Sequence, residues 1–319
     1  MAQVTEKRWE PAYAGLLRSG ELEQRVKQAY EHLRHCDLCG WECHIDRNAR
    51  TGACKTGAEA IVASYGPHHG EEDPLRGWGG SGTVFFSWCN LRCQFCQNQD
   101  ISQQGHGHPT SPERLAQIML ALQEQGCHNI NFVSPSHVVA QILAATFIAA
   151  QAGLRLPLVY NTGGYDSLAA LGLLEGVVDI YMPDMKYADA HIAKRYSKIP
   201  DYPVVNQQAV KEMHRQVGDL VLDEQGIAQR GLLVRHLVMP NGLAGTAEIA
   251  RFLSQQVSRD TYVNVMGQYR PCFKAHQYLE LNRPPNREEL QAAFQAVRGA
   301  GLHRLDERRS FPLAWLLPW

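Results

Sequence analysis

The sequence predicts an α/β fold, a partial (β/α)6 barrel with an N-terminal cysteine-rich module. Three observations carry this. Six apolar, strand-like runs recur from residue 83 onward. Amphipathic helical patterns fill the gaps between them, the alternation that parallel βαβ units require. Ahead of the first run, residues 36–80 are rich in cysteine and glycine. The expected organisation is a helical and cysteine-rich module over 1–80, a core over 81–306 and a tail over 307–319.

Residues 1–35 read as polar helix, with Leu16, Leu17, Leu22 and Val26 as apolar points. Residues 36–80 read as a loop-rich module ending in RGWGGSG. The strand runs are TVFFSW (83–88), NINFVSP (129–135), LPLVYNTG (156–163), VDIYMPDMK (178–186), LLVRHLVMP (232–240) and TYVNVMGQY (261–269). They are almost continuously apolar, as strands covered on both faces should be. In SPERLAQIMLALQEQG, Ser111 suits an N-cap and Pro112 the first helical position. Leu115, Ile118, Met119 and Leu122 then follow the spacing of one buried helix face, and Gly126 is placed to end the helix. In NREELQAAFQAVRG, Asn286 and Glu289 have capping-box spacing, with Leu290, Ala293, Phe294 and Val297 as the apolar stripe. Residues 219–229, DLVLDEQGIAQ, read as a short hairpin before the fifth run. Six units are too few to close an eightfold barrel, so an open one is expected.

Of 319 residues, 45% are hydrophobic and 20% charged, and the formal net charge is -1. That is an ordinary globular composition, without the basic bias of a nucleic-acid binder. No apolar run reaches the roughly 18 residues of a membrane span. The N-terminus, MAQVTEKRWEPAY, lacks an apolar signal segment, so a cytoplasmic location is expected. In a reducing compartment, clustered cysteines point to metal binding or redox chemistry rather than to disulfides. The nine cysteines fall into two groups, Cys36–Cys39–Cys43–Cys54 and Cys89–Cys93–Cys96, with Cys127 and Cys272 alone.

The second group lies in SWCNLRCQFCQNQ, spaced C-x3-C-x2-C, directly after the first run. Ligands gather at the carboxyl ends of parallel strands, so a cofactor is expected here. A [4Fe–4S] cluster usually takes four cysteines. Three thiolates leave one iron open to the substrate or cosubstrate, as catalytic zinc keeps an open position. A structural zinc loop or a ferredoxin-like site is the plainer alternative.

C-N-L-R-C-Q-F-C-Q-N resembles the C-x3-C-x-aromatic-C signature of the radical S-adenosylmethionine (SAM) superfamily. HHGEEDPLRGWGGSGTVFFS, INFVSPSHV, VYNTGGYD, YMPDMKY, RHLVMP and QYRPCFKA, in this order over about 36–306, resemble PflX-type homologues of pyruvate formate-lyase activating enzyme. The resemblance implies a radical-SAM barrel in which SAM chelates the open iron and is cleaved to methionine and a 5′-deoxyadenosyl radical. It implies an oxidoreductase with a flavodoxin or ferredoxin as electron donor and hydrogen abstraction as the chemistry. A protein backbone glycine is the expected target, as in glycyl-radical enzyme activation. The rivals are a radical enzyme acting on a small molecule or another macromolecule, and a non-enzymatic iron–sulfur or zinc protein.

The same resemblance places Phe95 near the adenine, and Ser134 and Ser136 at the strand end that meets the methionine amino group, without the usual Gly-Gly-Glu. It places Asn161, Thr162, Asp184 and Lys186 near the ribose, carboxylate and sulfonium, and His236 near the ribose. Activating enzymes hold a monovalent cation with acidic groups at two of these ends, and Asn161 departs from that. Trp88 departs too, since relatives have Gly before the first cysteine. The plain alternatives are a salt bridge for Asp184 and Lys186, a core histidine for His236 and helix capping for the serines. Cys272 is a candidate hydrogen donor or covalent carrier, with a buried structural cysteine as the alternative; Cys127 reads as packing. Glu71 and Glu72 are read as contacts of the cluster loop or substrate, or else as a solvated turn. Tyr269 and Arg270 are candidates for an anionic substrate group.

The first group has the spacing C-x2-C-x3-C-x10-C. Four thiolates match either a closed zinc site or a second [4Fe–4S] cluster with no open iron. His35 and His44 flank it as spare ligands.

Overall fold

The computed structural model describes residues 9–306. The tail expected over 307–319 lies outside the described residues, as do residues 1–8 of the N-terminal module. Helices α1 (Tyr13–Ser19) and α2 (Glu21–His32) come first, separated by Gly20 at φ 77°. Then follow β1 (Ala60–His68), α3 (Asp73–Arg76), β2 (Ser81–Phe86), α4 (Gln99–Ser102), β3 (His108–Thr110) and α5 (Pro112–Glu124). The alternation continues through β4 (Ile130–Val133), α6 (Val139–Gln151), β5 (Leu158–Thr162), α7 (Leu168–Leu174), β6 (Ile180–Pro183), α8 (Ala190–Ser197) and α9 (Tyr202–Val217). It ends with β7 (Val221–Leu222), β8 (Ala228–Leu237), α10 (Thr246–Gln256), β9 (Tyr262–Met266) and α11 (Arg287–Gly299).

Strands β2, β4, β5, β6, β8 and β9 pair in that order, all parallel. These are the six expected runs, and β7 forms the expected hairpin with β8. Alternation along the strands divides the core. Val84, Phe86, Phe132, Tyr160 and Val234 join Leu115, Met119, Leu122 and Ile142 in the outer core between sheet and helices. Val159, Ile180, Met182 and Leu233 form a separate inner cluster with Leu75 of α3. Buried polar side chains flank it at several levels: Ser81 and Asn129 near the amino ends, 2.6 Å apart, and Thr83 and Asn131 midway along β2 and β4.

The expected helix signals are in place. The Ser111 side chain accepts from the Arg114 amide at 3.3 Å, and Asn286 with Glu289 closes a reciprocal capping box. Leu22 is fully buried, and Leu16, Leu17 and Val26 pack against the core.

One region differs from expectation. The span 36–80 was expected to be loop-rich, yet β1 runs antiparallel to β2. Gly66 and Pro67 punctuate β1 and mimic a turn in sequence. Proline lacks the N–H that a ladder needs. It is accommodated because β3 covers only Ala60–Val62 on the other side of β1, so Pro67 opposes Gly82 of β2 but has no strand on its other side.

Candidate cofactor site

The loop after β2 begins with Trp88 at φ 64°, a left-handed conformation that favours glycine. The cost is offset by packing. Lys55 Nζ lies 4.9 Å from the Trp88 ring centroid, and Gly105 sits so close that a Cβ there would come 2.2 Å from the indole. Beyond Trp88 the backbone is tied on several sides. Asn90 Nδ2 donates to Tyr165 O at 2.7 Å, and Asn90 O accepts from Trp41 Nε1 at 2.6 Å. Arg92 Nη1 donates to Cys89 O at 2.7 Å, while its Nη2 donates to Ala53 O. The last carbonyls of α8 accept from the loop: Tyr196 O from the Gln94 amide at 2.7 Å and Ser197 O from the Arg92 amide at 3.2 Å.

Each of the three sulfurs has a polar neighbour, and Cys89 Sγ has a second in Asn90 Oδ1 at 3.9 Å. The Leu91 amide lies 3.4 Å from Cys89 Sγ, Ser197 Oγ 3.0 Å from Cys93 Sγ and Ser102 Oγ 3.0 Å from Cys96 Sγ. Cys93 is buried and the other two are partly exposed. Burial pushes the thiols of Cys89 and Cys93 up, Cys93 to about 12, against the pull of Lys186. Thiolates therefore form there when a cation displaces the proton. Among the described residues, no group of three Cys, His, Asp or Glu side chains is arranged to hold a single metal ion. A cluster asks for something else, since it binds each thiolate to a separate iron. Three soft donors, each hydrogen-bonded, at the carboxyl end of a parallel strand fit that group.

Beside the loop, the ends of β5, β6 and β8 carry a charged array. Asp184 accepts from Lys186 Nζ at 2.5 Å and from Arg235 Nε at 2.9 Å, and Arg235 Nη2 donates to Asn161 Oδ1 at 2.7 Å. Burial alone would raise the Asp184 pKa; the two cations together outweigh it and hold the carboxyl below its usual range. The same pairing holds Lys186 above the usual lysine range despite burial. The buried carboxylates of Glu71 and Glu72 also act on Arg235, so acid and base are mixed in this array. From α9, Tyr202 OH accepts from the Lys186 amide at 3.1 Å, and Asn206 Nδ2 donates to Asp184 O at 2.9 Å.

A hydrogen-bonded network sits next to it. Ser136 Oγ lies 2.9 Å from Thr162 Oγ1, which donates to Asp166 Oδ2 at 2.7 Å, and Tyr160 OH donates to Asp166 Oδ1 at 2.9 Å. Burial raises the Asp166 pKa despite these donors. Ser134 takes the left-handed turn after β4 and makes no side-chain cap. His236 has both ring nitrogens paired, with Met185 O and Thr246 Oγ1, each at 2.8 Å, and burial lowers its pKa. Phe95 is buried against Tyr187 and Tyr269, with centroids 6.5 and 5.7 Å away.

The outlying candidates scatter. Cys272 is partly buried in the turn after β9, near Tyr269, whose hydroxyl donates to Leu281 O at 2.8 Å. Arg270 is exposed. Glu71 and Glu72 are buried, not solvated, and Glu72 Oε1 accepts from Asn264 at 2.8 Å. Cys127 is buried in the outer core, as packing requires. Sequence reasoning missed Arg235, Asp166, Tyr202, Ser197 and Ser102. Arg235 alone had a signal, a cation one residue before a singled-out histidine.

The first cysteine group is closed. Cys36, Cys39, Cys43 and Cys54 line one cavity of about 10 Å³ with Arg47 and His137. Glu42 and His44, on either side of Cys43, both have positive φ. The buried Arg47 guanidinium spends its donors on Thr56 O, Gly57 O, His137 O and, at 3.9 Å, Cys36 Sγ. A cation placed among carbonyls and thiols suits a site whose bound form is anionic. His35 and His44 stack at 4.5 Å, both exposed.

The family description "Radical SAM superfamily" matches residues 83–215. An uncharacterized protein of Methanocaldococcus jannaschii is 32% identical over 285 residues, covering 86% of this chain and 77% of its own length. Among solved structures, a radical SAM methyltransferase from Sphaerobacter thermophilus aligns at TM-score 0.45 and 16% identity, over 69% of this chain and 64% of that one. Methylornithine synthase aligns at TM-score 0.45 and 12% identity, over 90% and 77%.

Proposed function

Because the chain belongs to the radical SAM superfamily, we propose that Cys89, Cys93 and Cys96 hold its [4Fe–4S] cluster and that the enzyme abstracts hydrogen from a protein backbone glycine. One observation supports this most. The three-thiol loop lies beside a buried array of Lys186, Arg235 and Asp184, and Lys186 is close enough to act on both Cys89 and Cys93. When bound, the cluster would supply the electron that splits SAM into methionine and the hydrogen-abstracting 5′-deoxyadenosyl radical.

The chain's own groups position the cosubstrate. Lys186 and Arg235 answer the SAM carboxylate, and Asp184 keeps both cations charged. Ser134 meets the ammonium, and Ser136 and Thr162 stiffen the strand ends beneath it. Phe95 meets the adenine. His236 braces Met185 and Thr246 in place of touching the ribose through a ring nitrogen. Arg235, bridging Asn161 and Asp184, occupies the role that a monovalent cation plays between two acidic groups in activating enzymes. Cys272 is the candidate radical-quenching or carrier thiol, and a flavodoxin or ferredoxin the electron donor. The four-thiol site holds zinc or a second cluster, under the charge of Arg47.

The test is anaerobic incubation of the iron-loaded protein with dithionite and SAM. Methionine and 5′-deoxyadenosine should form, and a glycyl-radical EPR signal on an added partner protein would mark a polypeptide target. Turnover of a metabolite without any protein radical would replace that target. A reduced, fully loaded protein that yields no 5′-deoxyadenosine would overturn the enzyme reading.

A further inference from the structure

Two serines touch the sulfurs of the three-thiol loop, and neither belongs to it. Ser197 is the last residue of α8 and is fully buried; Ser102 is the last residue of α4. Ser197 Oγ is 3.0 Å from Cys93 Sγ and 2.7 Å from Tyr187 OH, and Tyr187 is itself buried. Ser102 Oγ is 3.0 Å from Cys96 Sγ and accepts from Gln103 Nε2 at 3.3 Å.

A thiolate bound to iron has no proton to give, so each serine must donate to its sulfur. Ser197 has one hydroxyl proton. Once that proton points at Cys93, the oxygen can only accept from Tyr187. The result is a buried relay, Tyr187 to Ser197 to Cys93, in which each bond polarises the next. Gln103, Ser102 and Cys96 repeat the arrangement. The geometry is held by backbone as well, since Ser197 O also accepts from the Arg92 amide within the loop.

We propose that Ser197 and Ser102 set the reduction potential of the cluster, raising it by donating to the Cys93 and Cys96 sulfurs. This rests on the radical SAM reading above. The physical reason is charge. One-electron reduction adds negative charge to the cluster and its thiolates, so hydrogen bonds to sulfur stabilise the reduced form more than the oxidised one.

The experiment is a potentiometric titration, followed by EPR of the reduced cluster, on reconstituted full-length protein. It compares wild type with Ser197→Ala, Ser102→Ala, Tyr187→Phe and Ser197→Thr, with iron content measured on each. Ser197→Ala should keep its iron and shift negative. Its reduced-to-oxidised ratio at fixed poise should fall roughly tenfold, about 59 mV for one electron. Ser102→Ala should shift the same way, Tyr187→Phe by less, and Ser197→Thr should hold the wild-type value. If Ser197→Ala loses iron, Tyr187→Phe and Ser102→Ala read the same effect with Ser197 intact, and unchanged potentials in both overturn the proposal. An iron-loaded Ser197→Ala at the wild-type potential overturns it directly. Wild type without any reducible cluster overturns the radical SAM reading itself.

Discussion

The thiols of Cys36, Cys39 and Cys54 are buried around a closed cavity, whereas Cys89 and Cys96 keep part of their surface exposed at the strand ends. The closed group is surrounded by its own loop backbone and partly balanced by one buried guanidinium. The open group lies beside a charged array. A site that only holds a fold satisfies its donors internally. A site that binds a second molecule presents charged groups beside its donors, and here these are Lys186 and Arg235 paired with Asp184.

The sharpest way to break this contrast is Cys96→Ala. It should abolish the iron of the open group and all 5′-deoxyadenosine formation while leaving the metal of the closed group. Metal analysis of the Cys89/Cys93/Cys96 triple alanine variant then isolates the closed group: about four irons per chain mark a second cluster and about one zinc a structural ion. A folded, anaerobically purified variant with neither metal would remove the ligand assignment.

Asp184→Asn comes next. Removing one partner of a buried ion pair typically costs about 3–5 kcal/mol, so denaturant unfolding should show a loss of that order. The pH dependence follows from the sign of the shift. The carboxyl is held below its unfolded value, so its contribution is complete above the ordinary carboxylate range and fades as pH falls through the depressed value. Wild type should therefore lose stability on acidification more steeply than the Asn variant; parallel curves would dissociate the array from stability.

Arg235→Lys is milder. It keeps the charge but gives up the two-pronged reach from Asp184 to Asn161. SAM binding by calorimetry should weaken by about 1–3 kcal/mol, the range for a lost charge-assisted bond. Wild-type SAM affinity should be indifferent to exchanging potassium for choline; a strong potassium requirement would remove Arg235 from the cation's place.

Trp88→Gly should have the smallest effect. Relief at a positive φ stabilises by up to ~1 kcal/mol, and lost packing against Gly105 and Lys55 offsets it. Thermal unfolding should move little in either direction.

How much of this could be read from the chain depends on how local each interaction is. The two cysteine groups could be singled out because their spacing lies within a few residues, and the six strands because their apolar runs are continuous. Helix caps were legible for the same reason, since Ser111 and Asn286 bond to amides three residues on. Arg235 was not, because its partners lie 51 and 74 positions away. Ser197 is 104 positions from Cys93, and nothing near it in sequence hints at a sulfur. Strand β1 was hidden by Gly66 and Pro67, whose local preference is overruled by pairing with β2. Trp88 was legible only as a departure, and its φ of 64° supplies the reason.

Arg92 reaches in two directions, to Cys89 O in the open loop and to Ala53 O beside Cys54. With the Trp41 bond to Asn90 O, this makes residues 41–54 and 89–92 parts of one opening unit rather than two. Amide hydrogen exchange in the open loop should then accelerate when the closed group is stripped of metal, although no residue of that loop has been changed. The timing of the closed group's metallation would set when the open loop becomes ordered enough to receive its iron.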